Sequence, residues 1–234
     1  MVASVGVVVY TLREMQRVDR CVESVGWADT VQLWPLDDDG SSKTDPERAQ
    51  TDWVLYLFGE EHVDAELSAA IQNVVQLRDR HRVGPYGIRV RSCLLDRWIE
   101  ASCWGPSPSP RLFPTDTRLP FDGWQPEGFG GSSAPVLPGW ISDHSFAQVA
   151  NGVGHVNALS TVWARSVNDV PQGPGKLILR PACVFCYLFF RKSLWLRGLP
   201  GFSIAVIAAY TCVATTMKSW ERGQGSAHGP PIEP

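Results

Sequence analysis

The residues able to do chemistry in this chain fall into a few short runs, the first being Glu60-Glu61-His62. Carboxylate and imidazole side by side suit metal ligation or proton transfer. A metal pair of Glu61 and His62 lacks an adjoining third ligand, however. Cys183 and Cys186 form a C-x-x-C, the spacing of a redox pair or of half a zinc site. No second C-x-x-C or His pair accompanies it, and the apolar string PACVFCYLFF favours buried thiols in a reducing compartment. Asp37, Asp38 and Asp39 lie in a turn-rich stretch, where a solvated loop is the ordinary reading. Arg191, Lys192, Trp195 and Arg197 combine long basic stems with an indole. These groups suit a membrane headgroup layer; a solvated basic face on a core helix pair is the alternative.

The elements that must position these groups begin with ASVGVVVY (3–10), a β-branched apolar run expected to form a buried parallel strand. Met15, Val18, Cys21, Val22 and Val25 then recur at helical spacing. TVQLW (30–34) and DWVLYLF (52–58) predict two more strands, separated by the polar stretch 35–51, and a second helix begins near Asp64. That order predicts an open α/β sheet, with ligands gathering at strand C-terminal ends near Tyr10, Pro35 and Phe58–Glu61. Residues 83–141 are rich in Pro, Gly, Trp and Ser, which leaves two alternatives: a lid, or an irregular β-rich extension over the sheet edge. Helical spacing returns over about 145–167, and the tail after Gln224 is expected to be disordered. The expected divisions are 1–82 (α/β half), 83–168 (extension and helix), 169–222 (basic apolar helices) and 223–234 (tail).

Charge is distributed unevenly. The net charge is -3, yet eleven acids crowd residues 29–66 while none falls between Val170 and Trp220, where Lys176, Arg180, Arg191, Lys192, Arg197 and Lys218 lie. No nucleic-acid-binding motif accompanies these bases, so no nucleic-acid partner is expected. An anionic membrane surface accounts better for a basic block beside apolar stretches. Residues 198–217 carry no charge, a borderline length for spanning. Gly198, Pro200 and Gly201 favour helices lying in the interface, with a span or a buried core as alternatives. MVASVGVVVY carries no basic leader, so the cytoplasmic side of the inner membrane, peripherally bound, is the expected location.

Several segments together resemble bacterial family 2 glycosyltransferases of the lipopolysaccharide-core type. They are VASVGVVVYTLREMQRVDRCVESVGWAD, TDWVLYLFGEEHVDAEL, RWIEASCWGPSPSPRLF, LPGWISDHSF and GKLILRPACVFCYLFFRKSLWLRGLPGF, in the family's order from residue 3 to about 221. The resemblance implies a GT-A-like, Rossmann-like α/β fold, a nucleotide-sugar donor, a Mg or Mn ion, and inverting transfer to a lipid-linked or lipopolysaccharide-type acceptor. It places the family's Asp-x-Asp on Phe58-Gly59-Glu60, leaving Glu60 as metal candidate, and Glu61 or a shifted Glu127 as candidate base. Trp98, Arg111 and His144 fall at acceptor-side positions. Their plainer readings are packing, an internal ion pair and a satisfied hydrogen-bonding residue. The chain departs from the family at Phe58, at Arg13-Glu14 where an Asn-Glu turn is expected, and in a shortened 35–51.

Three expectations follow. The first is a glycosyltransferase-like protein that has lost catalysis, a pseudoenzyme needing no cofactor. It would serve as a membrane-associated scaffold subunit on the cytoplasmic face of an integral membrane assembly, with Arg191, Lys192, Trp195 and Arg197 in contact. The second is an active family 2 glycosyltransferase binding nucleotide-sugar, with Glu60 on the metal. The third is a zinc or redox protein built on Cys183 and Cys186.

Overall fold

In a computed structural model, residues 3–12, 17–35, 51–76, 85–94, 97–100, 108–115, 134–166 and 174–225 are described. Contacts divide the chain into two units, Met1–Pro120 with Gln125–His155, and Phe121–Trp124 with Val156–Pro234.

The first unit is an open α/β sheet. Its elements are β1 (Val5–Thr11), α1 (Val18–Ser24), β2 (Thr30–Pro35), β3 (Trp53–Phe58), β4 (Glu61–Val63) and α2 (Ala65–Gln76). β5 (Tyr86–Leu94), β6 (Arg97–Ile99), β7 (Ser109–Pro114) and β8 (Val136–Asp143) follow. The strand order is β2-β1-β3-β7-β5-β8-β4, with β6 alongside β5. β2, β1 and β3 run parallel, β7 is antiparallel to both β3 and β5, and β8 is parallel to β5. Central strands of this kind are covered on both faces, which is why β1 and β3 read as unbroken apolar runs. Val5, Val7 and Val9 pack with Leu55 and Leu57, under Leu67, Ile71 and Val75 of α2. The α2 residues recur at i, i+4 and i+8, forming one helical stripe. Burying each such side chain contributes about 1.5–3 kcal/mol.

Asp64 starts α2: its Oδ1 accepts from the Leu67 amide at 2.8 Å and its Oδ2 from the Trp140 amide at 3.0 Å. The helix is thereby capped and tied to β8 by one carboxylate. Gly139 makes this close approach possible. Its φ is +90°, and a Cβ there would lie 2.4 Å from the Leu67 nitrogen.

Residues 61–63, read from the sequence as leading into a helix, instead form β4, paired antiparallel with β8. For the described residues of 83–141 the alternatives resolve to β-structure. Within its described residues, four strands continue the sheet itself and do not merely cover its edge. In β5 the alternation of Ile88 and Val90 with exposed Arg89 and half-buried Arg91 is the period-two signal of a strand. The first helix spans Val18–Ser24 only; Met15, the Asp37–Asp39 turn, Arg13-Glu14, Glu127 and the tail after Gly225 lie outside the described residues.

The second unit holds the end of α3 (Val149–Ser166), then α4 (Pro174–Cys186), a π-helical turn (Tyr187–Arg191), a 3-10 turn (Leu194–Arg197) and α5 (Leu199–Gly225). Phe185 and Phe189 pack on Phe202 of α5, with ring centroids 5.9 and 6.0 Å away. Gly201 allows α5 to approach the Leu194 carbonyl, where a Cβ would collide. Lys218 of α5 donates to Asn157 O (2.6 Å) and Oδ1 (2.8 Å), Ser160 Oγ (2.8 Å) and Thr161 Oγ1 (2.7 Å), clamping α5 to the end of α3.

Candidate functional site

The expected site at the ends of β1 and β3 is filled by aromatic rings and one ion pair. Register sets Tyr10 beside Phe58, and the Gly59 amide donates to the Tyr10 carbonyl at 2.8 Å. The Tyr10 ring lies 5.9 Å from those of Phe58 and Trp34 and 6.1 Å from Tyr56. Phe58 is only 1% exposed.

Beyond this turn Glu61 opens β4, and its carboxylate turns back toward β3. Oε2 accepts from the Phe58 amide at 2.9 Å and from Arg111 Nη1 at 3.1 Å; Oε1 accepts from Arg111 Nη2 at 2.8 Å. Arg111 arrives from β7 and also donates to the Tyr56 carbonyl at 3.3 Å. Its guanidinium lies 5.7 Å from the Phe58 ring centre. Side-chain exposure is 3% for Arg111 and 0% for Glu61. Burial pushes the Glu61 carboxyl up, Arg111 opposes that, and Asp143 adds to it. Asp143 itself accepts from Ser92 Oγ and the Ser145 amide.

Glu60 is buried with one oxygen 3.9 Å from Nδ1 of buried His155. A divalent cation between diphosphate and protein needs hard oxygen ligands converging on open space. Here Phe58 offers none, both Glu61 oxygens are engaged, and Glu60 faces an imidazole. Among the described residues no group of three or more His, Cys, Asp or Glu could hold a metal ion. The residues present do not fit the ion that the resemblance implies.

A second constellation lies on the next register row. Across β5, β8 and β4, Arg91 pairs with Ser142 and Ser142 with His62, while Ser92, Asp143 and Glu61 form the adjacent row. Neighbouring residues of a strand face opposite sides, so the two rows present separate chemistry. The His62 and His144 rings lie 4.8 Å apart, and Trp98 of β6 meets His144 edge-on at 5.0 Å. Arg91 stacks over Trp98 at 5.0 Å, its Nε donating to Ser142 Oγ at 2.9 Å. Arg17, just ahead of α1, places Nη1 3.2 Å from His144 Nδ1. Since arginine only donates, that nitrogen must accept, which assigns the proton of neutral His144 to Nε2. Burial, then His144, Arg20 and Arg17, hold His62 down to about 4. Burial and Arg17 lower His144 as well.

Glu60, Glu61 and Arg111 thus gather at the strand ends, and Trp98 and His144 meet each other beside the row of Arg91, Ser142 and His62. Glu127 falls outside the described residues. Arg191, Lys192, Trp195 and Arg197 lie in the second unit, all exposed. Cys183 and Cys186 are free and exposed, correcting the expectation of buried thiols. At i and i+3 they share one side of α4, and that side is the outer one. Arg17, Arg91, Asp143 and His155 were not singled out from the sequence, because strand register alone brings them to the site.

The fold class is the expected one, an open α/β sheet with C-terminal helices. No family model matches the sequence, and no curated protein matches it. Among solved structures, the chain is similar to S. aureus TarS 1-349, with 10% identity, a TM-score of 0.42, and 96% of this chain and 91% of that one covered. A second structure of S. aureus TarS gives 9% identity and a TM-score of 0.38, covering 95% of this chain and 55% of that one.

Proposed function

We propose that the chain is a glycosyltransferase-like protein that has lost metal-dependent sugar transfer and serves as a membrane-associated accessory subunit. Its place is the cytoplasmic face of a membrane assembly. The observation carrying this reading is the strand end itself. A buried phenyl stands where the resemblance puts a metal carboxylate, and Arg111 and the Phe58 amide engage the Glu61 oxygens. A fold does not supply activity once its site residues are gone. The membrane half rests on exposed Phe190, Trp195, Leu196 and Leu199 beside Arg191, Lys192 and Arg197, in a stretch without acids. By length and composition, Leu199–Gly223 is also the one helix among the described residues able to cross a membrane.

Two measurements test the proposal. Calorimetric titration with nucleotide-sugars at millimolar concentration in the presence of manganese should give no metal-stimulated binding. Flotation should recover the chain with vesicles containing phosphatidylglycerol, and the Arg191→Gln/Lys192→Gln/Arg197→Gln variant should stay behind. Manganese-stimulated donor binding that Glu60→Gln abolishes would restore the reading of an active transferase. Indifference to vesicles would remove the membrane role.

A further inference from the structure

We propose that Arg17, Arg20, Arg91, His62, His144 and Trp98 form a metal-independent binding site for a phosphate-bearing ligand, distinct from the filled strand end. It goes beyond the function proposed above and does not rest on it.

The argument begins with charge. Among the described residues Arg17, Arg20 and Arg91 make no ion pair with a carboxylate, although all three act on His144, and Arg17 and Arg20 on His62 as well. Packing like charges together without a counter-ion destabilises a fold, so a bound anion is the natural complement. The carboxylate acting on His144 is Asp143. Its oxygens already accept from Ser92 Oγ and the Ser145 amide on the neighbouring row.

Geometry then favours a phosphate. Arg91 is fixed by its stacking on Trp98 and by the bond from its Nε to Ser142 Oγ, so its two terminal nitrogens remain to donate. Arg17 uses Nη1 on His144, which leaves Nη2 and Nε. A planar fork of this kind matches two phosphate oxygens at once. The assigned tautomer gives His144 an Nε2–H donor as well. Among the described residues His62 Nε2 is buried without a hydrogen-bond partner, a polar atom that a bound ligand or water would satisfy.

Rigid elements hold the parts. Arg17 and Arg20 flank the first turn of α1, and Ser24 of that helix binds both the Val63 amide of β4 (3.1 Å) and the Cys21 carbonyl (2.7 Å). His62 and Arg91 project from paired strands, and the His144 amide donates to the Glu60 carbonyl at 3.0 Å. Trp98 is 45% exposed and offers a flat face at the rim for an organic part of the ligand.

Pyrophosphate is the probe, titrated calorimetrically into the full chain at low salt with a chelator present. Binding is expected, weakening as salt rises, and about tenfold weaker in Arg17→Gln and in Arg91→Gln. Arg89→Gln, whose guanidinium stacks on Trp140 outside the group, should bind as the unaltered chain does. Circular dichroism of each variant guards against unfolding as the cause of lost binding. Flotation on phosphatidate vesicles, run in the Arg191→Gln/Lys192→Gln/Arg197→Gln background that lacks the C-terminal basic contact, separates the two sources of such a phosphate. Flotation that Arg17→Gln and Arg91→Gln abolish identifies a lipid headgroup, and flotation that is absent or insensitive to them identifies a free phosphate compound. Absence of pyrophosphate binding, or equal weakening by Arg89→Gln, overturns the site.

Discussion

Replacing Arg111 by methionine tests the physical core of the site, because methionine fills the arginine stem and removes only its charged head. Glu61 would keep the Phe58 amide and lose two charge-assisted bonds of 2.8 and 3.1 Å in a position with no exposure. Each such bond contributes about 1.5–3 kcal/mol, and removing one partner of a buried pair costs about 3–5 kcal/mol. The two routes agree on a loss near 4 kcal/mol. Glu61 has one escape, which is to take up a proton. Burial already pushes this carboxyl above its ordinary value, and in the variant Arg111 no longer opposes the rise. A carboxyl whose folded pKa exceeds its unfolded one contributes stability that is complete below the unfolded value and is lost as pH rises through the folded value. The deficit of Arg111→Met is therefore largest at about pH 8 and shrinks toward about pH 5. Urea unfolding followed by tryptophan fluorescence at both values reads the difference. Adding Glu61→Gln should recover most of the loss near pH 8. A deficit below about 1 kcal/mol, or one equal at both values, would refute the claim that this pair is buried and mutually dependent.

Two further outcomes follow from close contacts. Gly139→Ala forces a side chain onto a backbone with φ of +90° and within 2.4 Å of the Leu67 nitrogen. A loss of at least about 2 kcal/mol and a clear drop in Tm are expected, and an unchanged Tm would show that the Asp64 cap does not depend on this approach. Lys218→Met removes a cation shared by four acceptors on the end of α3. It should cost about 1.5–3 kcal/mol and speed amide exchange across α5 and residues 157–161; unaltered exchange would mean that the clamp is dispensable.

The sequence was most legible where one element could be judged alone. β1 and β3 are continuous apolar runs, and α2 carries its stripe and its Asp64 cap in adjacent residues, so each announces itself locally. β4 did not, because three residues cannot display a period, and its existence depends on pairing with β8. β5 was obscured differently. Its alternation of Ile88 and Val90 with arginines is visible, but the surrounding Pro, Gly and Trp content outweighed it. The site followed the same rule. Phe58 and Glu61 were recognisable by position, whereas the partnership of Glu61 with Arg111 joins residues fifty apart. The meeting of His144 with His62, Trp98 and Arg17 likewise requires the register of β4, β8 and β5 and the docking of α1. The C-x-x-C differs from its sequence reading for a related reason: an apolar string reads as buried, yet Cys183 and Cys186 occupy an outward side that composition cannot reveal.

The ion pair at the strand end has its own electrostatic logic. A carboxylate with no exposure must have a cation beside it, since the cost of burying it unpaired is several kcal/mol. In a metal-dependent site the ion and its waters supply that charge, and the carboxylate remains available only because the ion is exchangeable. In this chain the charge comes from a guanidinium that is covalently part of β7, held also by the Tyr56 carbonyl. A divalent ion approaching Glu61 would have to displace that guanidinium and leave it buried without a counter-charge. It would also meet the Phe58 ring where a second oxygen ligand is needed. Placing a carboxylate at position 58 alone would therefore add a second acid beside a pair that is already neutral in sum, raising its own pKa instead of recruiting metal. On the proposed reading, Phe58 and the Arg111–Glu61 pair are coupled features, and Phe58→Asp is expected to lower stability without creating manganese binding by calorimetry. Manganese binding by that single variant would show that the pair yields to an ion, and that the aromatic ring alone keeps an ion from this strand end.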